Sequence, residues 1–225
     1  MSEANWHRPF SPTILETTVP KDFIKIINKI GDEVLSDDNK SAQWDWSNHL
    51  VGKVHKEIQI PISDKDDSDY CKDVIRLGCV TYLKQMIRDK RAFISNSVIL
   101  HNNQGGSSDV KEDNINISQT WIVSQYKHEY NPWHQHSGHI SGVCYLKLPD
   151  DMENHFNQEL KDHYPARGLI DFKYGEKSDM RSDTWLFHPK VGKMLVFPSW
   201  LNHTVYPFYC EGERRSMSFN AYMHV

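Results

Sequence analysis

Apolar residues in this chain follow two different periods, and the change between them divides it. Behind Val19-Pro20-Lys21-Asp22, the stretch FIKIINKIGDEVL places Phe23, Ile26, Ile27, Ile30 and Val34 at helical spacing and leaves its charges on the opposite side. A first amphipathic helix is predicted there. From Asp69 to Arg91 the same spacing returns in Val74, Ile75, Leu77, Val80, Leu83 and Ile87, with basic residues gathering where a helix dipole favours them, so a second helix is predicted. Between the two, residues 36–67 are rich in Asp, Asn, Ser and Lys around Trp44 and Trp46 and read as irregular, with one extended piece near Ile58 to Ile62. Residues 101–114, HNNQGGSSDVKEDN, have the composition of a loop.

Beyond Ile115 the period shortens to two. INISQTWIVSQYK, HISGVCYLKLP, RGLIDFKY, DTWLFHP, KMLVFPS, HTVYPFY and RRSMSFNAYM are short β-branched or aromatic runs separated by Gly, Pro and Asp. That many strands in one half predicts a sandwich or jelly roll, and the two helices are expected to cover one of its sheets. The expected organisation is one domain over residues 1–225, with a mainly helical part over 1–114 and the β-rich core over 115–225.

Composition narrows the class. A formal charge of -4 offers no broad attraction to phosphate backbones or anionic lipid, so nucleic acid is disfavoured as a partner. No uncharged apolar run approaches the length of a membrane span and the first residues lack a leader's apolar stretch; a cytoplasmic protein is expected. Cys71, Cys79, Cys144 and Cys210 are scattered and read as free thiols, mostly buried.

The candidate chemistry lies in two stretches of the β-rich half. Trp133-His134-Gln135-His136-Ser137-Gly138-His139 precedes a strand beginning near Ile140; in extended chain, residues two apart share a side, so His134 and His136 can face one point while His139 faces elsewhere. In GKMLVFPSWLNHTVYP, a strand, a short turn and then His203 bring a third imidazole to the mouth of the sandwich, the composition of a facial three-ligand metal site with open positions. Eleven residues on, Arg214, Ser216 and Ser218 share one face of a strand, and Arg215, Met217 and Phe219 the other. An arginine turned into a barrel-like interior needs an anionic partner, which a small carboxylate would provide.

Residues 116–223 resemble the 2-oxoglutarate and Fe(II)-dependent oxygenase superfamily, in particular a branch common in marine bacteria and their phages with a prolyl-hydroxylase-like core. The likeness is carried by His134-Gln135-His136, by Ser141-Gly142-Val143-Cys144-Tyr145-Leu146, by Gly192 through His203 with its Phe197-Pro198-Ser199, and by Arg214 through Asn220. It implies a double-stranded β-helix, iron held by His134, His136 and His203, and the distal carboxylate of 2-oxoglutarate gripped by Arg214 with Ser216. It also implies contacts to that cosubstrate from Tyr126 and Tyr145. The implied reaction is oxidative decarboxylation of 2-oxoglutarate by dioxygen, coupled to hydroxylation of a peptide or small molecule.

One position departs from the superfamily. The middle ligand is commonly Asp or Glu, and here it is His136, which leaves the metal one negative charge short unless a carboxylate such as Glu129 or Asp171 completes its surroundings. Two rivals stand beside the oxygenase: a cupin-type three-histidine dioxygenase, which has no need of Arg214, and a non-catalytic jelly-roll binding module. For the substrate opening, Trp133, Trp200, Tyr206 and Phe208 are expected to form an aromatic rim, shaped further by the loop from Asp150 to Pro165 and by the irregular N-terminal region.

Overall fold

The structure is a computed structural model that describes residues 12–47, 52–60, 66–89, 110–157 and 166–223. Two antiparallel sheets dominate it. The larger has the order β1-β8-β5-β10-β3-β2, built from β1 (Leu15–Thr18), β2 (Lys56–Gln59), β3 (Ile115–Gln125), β5 (Ile140–Lys147), β8 (Lys193–Pro198) and β10 (Arg214–Met223). The smaller has the order β4-β9-β6-β7, from β4 (Asn131–His134), β6 (Ile170–Lys173), β7 (Thr184–Phe187) and β9 (Asn202–Val205). All seven expected strands are present. β1 and β4 are additions that fall outside every predicted run, and β2 is the extended piece expected near Ile58, begun two residues earlier.

The large sheet is apolar on both faces, and each has its own partner. Outward it carries Ile122, Cys144, Met194, Val196, Met217 and Phe219, which meet the buried stripes of helices α1 (Lys21–Leu35) and α3 (Asp66–Arg88) in the main core. On α1 those residues are Phe23, Ile27, Gly31 and Val34, spaced for one helical face. Gly31 lets the helix come close, since a Cβ there would stand 2.7 Å from Ile122 Cδ1. On α3 the buried positions are Cys71, Ile75, Cys79, Tyr82, Leu83 and Ile87 with Val80, so the stripe is rotated from the one expected, and Leu77 is 56% exposed. Lys90 and Arg91, the end of the expected helix, and residues 101–109 lie outside the described residues. A further short helix, α2 (Asp38–Gln43), forms where irregular chain was expected, because Asp37 caps it by accepting from the N–H groups of Asn39 and Lys40.

Inward, the large sheet packs Val143, Leu195 and Phe197 against Ile170, Phe172 and Leu201 of the facing layer, a smaller apolar cluster. Strand parity decides which side chains enter this space. In β10 it turns Arg214, Ser216, Ser218 and Asn220 inward, as expected, and sends Arg215 out, where it bonds Asp32 of α1 at 2.7 Å and Glu213 at 2.8 Å. The two consecutive arginines therefore serve different layers: Arg215 ties helix to sheet, and Arg214 belongs to the interior.

Candidate active site

A cavity of about 300 Å³ lies between the sheets. His134 and His203 reach it from paired strands, standing opposite each other in the β4–β9 register with ring centroids 4.2 Å apart. His136 is placed differently from expectation. It lies beyond the end of β4, and its approach is set by the bond from its backbone N–H to Ser199 O at 3.0 Å rather than by strand alternation. Its ring sits 4.9 Å from His134 and 5.0 Å from His203. One nitrogen from each imidazole lies within 4.8 Å of the other two, so the three rings can share one cation.

The rings are prepared electronically. Nδ1 of His134 donates to Pro132 O at 2.7 Å and Nδ1 of His203 to Leu201 O at 3.0 Å, which leaves Nε2 of each as the lone-pair nitrogen. Burial holds all three below the usual histidine range, His136 at about 3 and His203 well down, and neighbouring imidazoles add to the effect on His136 and His203. Three neutral imidazoles facing one point are the form that binds a transition metal. Phe172 and Phe197 pack against His203, at 5.6 and 5.0 Å between centroids, and fix its ring.

No carboxylate joins the cluster among the described residues. Glu129 instead accepts the N–H groups of His55 and Tyr126 in a surface turn, at 2.7 and 2.8 Å. Asp171 pairs with Thr204 in the sheet, while its neighbour Phe172 takes the His203 side; its carboxylate receives the Tyr206 hydroxyl. His139 is also elsewhere, its Nδ1 accepting from Met223 N–H at 3.1 Å.

Arg214 is buried beyond the cavity wall. Its Nη1 donates to Gly168 O at 2.7 Å, its Nη2 donates to Gln125 Oε1, and its carbon lies 5.6 Å above the Phe208 ring. These partners are all uncharged. Burial lowers the guanidinium to about 10, and among the described residues no carboxylate offsets it. A buried cation partnered only by neutral oxygens could pair with a small acid. Tyr145, whose phenol is pushed up to about 12 by burial, lies close enough for its charge to couple to Arg214, and it pairs with Ser216 across β5–β10. Tyr126 stands just past β3, 40% exposed, edge-on to His55, and does not line the cavity; Gln125, one residue earlier and of opposite parity, does.

The expected aromatic rim is not assembled as written. Trp133 and Trp200 are exposed, Tyr206 bonds Asp171, Phe208 lies buried under Arg214, and none of the four lines the cavity. Asp150 and Asp151 border a separate surface depression, and residues 158–165 lie outside the described residues. The N-terminal region does contribute. Trp46 and Glu57 line the cavity beside Trp121, whose ring lies 5.4 Å from His136. Glu57 was legible only through alternation in KEIQI, where Ile58 goes to the main core and the residues on either side must face the other way.

Three imidazoles converging between the sheets of a jelly roll, with a buried guanidinium beyond the cavity wall, could hold one metal ion and leave positions open. Residues 119–220, which hold all three histidines and Arg214, match the family model described as "Putative 2OG-Fe(II) oxygenase". Over that stretch, somewhat under half of the chain, the protein is similar to the 2-oxoglutarate/Fe(II)-dependent oxygenases, which use Fe(II) and 2-oxoglutarate; the three imidazoles fit such a metal. No curated protein matches the sequence. The fold is that of the double-stranded β-helix oxygenases. AviO1 from Streptomyces viridochromogenes is 11% identical, with 93% of this chain and 89% of that one covered and a TM-score of 0.53. A prolyl hydroxylase from Trichoplax adhaerens, in complex with a hypoxia inducible factor oxygen degradation domain peptide fragment, is 11% identical over 93% and 82%, with a TM-score of 0.50.

Proposed function

We propose that this enzyme couples oxidative decarboxylation of 2-oxoglutarate to hydroxylation of an organic substrate, so that substrate, 2-oxoglutarate and dioxygen become hydroxylated substrate, succinate and carbon dioxide. The observation that carries the reading is a three-imidazole cluster in the cavity with a buried Arg214, uncompensated among the described residues, beyond the cavity wall. His134, His136 and His203 would hold the iron, which supplies dioxygen activation when bound. Arg214 would take the distal carboxylate through its planar fork, with Ser216 and Tyr145 beside it. The apolar walls of Val143, Ile170 and Phe197 exclude water from the reacting atoms.

Arg214 separates this reading from a cupin-type dioxygenase, which has no acid to seat there. Anaerobic addition of Fe(II) and then 2-oxoglutarate tests it. A visible charge-transfer absorption is expected, followed by succinate release when oxygen is admitted. Iron binding with neither signal would leave the cupin reading, and no iron binding would leave a non-catalytic module.

A further inference from the structure

The cavity also reaches β2, the edge strand of the large sheet. Glu57 sits there at 4% exposure, with the indole of Trp121 as its hydrogen-bonding neighbour. Trp46 is held alongside by the bond from its backbone N–H to Glu57 O at 2.8 Å, within a stitch that also joins Gln59 N–H to Trp44 O. The side chain that precedes Glu57, Lys56, points away and donates to Ser41.

Resting on the oxygenase reading, we infer that Glu57, Trp46 and Trp121 form the substrate subsite of this enzyme and that they take a positively charged nitrogen, an ammonium or guanidinium. A carboxyl has room for several hydrogen bonds, and one indole fills a single position. Burial raises the Glu57 acid to about 8, Asp45 nearby pushes the same way, and among the described residues no basic side chain contributes an opposing effect. A cation entering from solvent would relieve that cost by pairing with the carboxylate, and indole rings on the same wall attract cations through their faces. The cavity is thereby polarised. A guanidinium waits behind Gln125 for the cosubstrate's acid, and Glu57, beside the Trp121 ring that lies 5.4 Å from His136, waits for the substrate's base. A substrate anchored at Glu57 presents carbon atoms a few bonds from its charged nitrogen to the metal, which makes Glu57 a specificity determinant with no role in holding iron.

The test is a tryptophan-fluorescence titration of the Fe(II)- and 2-oxoglutarate-loaded protein, kept anaerobic, with n-butylammonium chloride and with n-butanol as its neutral counterpart. Saturable binding of the ammonium is expected, at least tenfold tighter than butanol, and at least tenfold weaker in Glu57→Gln. A Gly-Lys-Gly peptide titrated in parallel separates a basic side chain of a peptide from a small free amine as the natural source. Equal binding of butanol by the wild type, or unchanged ammonium affinity in Glu57→Gln, overturns the inference. The comparison with butanol uses only the wild-type protein and so survives a variant that does not fold. The charge-transfer band read in the same samples keeps the two readings apart: a protein with the band but without discrimination between the probes loses the subsite, and a protein without the band loses the oxygenase.

Discussion

His134 and His203 face each other across the β4–β9 pair, and each donates Nδ1–H to the carbonyl of the residue two before it. The same local device therefore sets both tautomers and leaves both Nε2 atoms for metal. His203→Ala should lower Fe(II) affinity by more than ~100-fold, beyond the 10–100-fold typical of losing a group that only orients a ligand. Iron content after anaerobic desalting, beside a circular dichroism spectrum matching wild type, measures it.

The middle ligand offers a gain instead of a loss. His136 lies outside a strand and is only partly buried, so a smaller side chain can be accommodated there. His136→Asp restores the carboxylate of the commoner two-histidine pattern and should tighten Fe(II) binding about tenfold, roughly 1.4 kcal/mol. Competition with a chelator reads the change; weaker binding in this variant would argue that the site is tuned for three neutral donors.

Arg214 separates cosubstrate binding from metal binding. Arg214→Lys keeps the charge but loses the fork, and the Michaelis constant for 2-oxoglutarate should rise about 10–100-fold with iron content unchanged. Arg214→Met should lose the cosubstrate altogether without lowering the melting temperature, because a buried charge with only neutral partners contributes little to stability. A marked loss of stability in Arg214→Met would show that Arg214 is structural.

Acidity should act on the metal-free protein with opposite signs at the imidazoles and at Glu57. The three imidazoles are held below the ordinary histidine value of 6.5, so the unfolded chain takes up more protons and stability falls as pH drops through 6.5 and below. Glu57 is raised from 4.5 to about 8, so the folded state keeps its proton longer and stability falls as pH climbs from 4.5 through 8. Glu57→Gln should therefore increase stability at pH 8 by at most on the order of 3–5 kcal/mol, raising the melting temperature with it, and the gain should vanish near pH 5. Thermal melts across that range decide it.

Packing of the large sheet against the main core gives a prediction about stability. A Cβ at position 142 would stand 2.3 Å from Phe219 Cζ and 2.8 Å from Leu195 O. Gly142→Ala should cost about 1–3 kcal/mol through forced repacking of the main core. Denaturant unfolding measures this, and an unchanged midpoint would mean that Phe219 moves aside freely.

Alternation along INISQTWIVSQYK and RRSMSFNAYM was enough to place β3 and β10 and to divide Arg214 from Arg215, because side-chain direction in a strand depends only on parity. The helices were legible for the same reason at a longer period, although α3 presents Cys71 and Cys79 to the core in preference to Leu77. The three histidines could be named from spacing. Their convergence could not be derived from it, since His136 is positioned by Ser199, far along the chain. Tyr126 shows the limit most clearly: one residue of register separates it from Gln125, and that single step decides which of the two lines the cavity.

The sequence by itself determined the period of each element, the face each strand residue takes and the set of imidazoles and arginine available for chemistry. These are local properties, decided by backbone geometry within a few residues. Only the tertiary structure decided that Glu57 and Trp46, read as irregular chain, lie in the cavity with the histidines, and that Arg214 has neutral oxygens for partners. Those facts depend on which layer covers which, and that is set by burial of apolar surface between residues far apart in the chain.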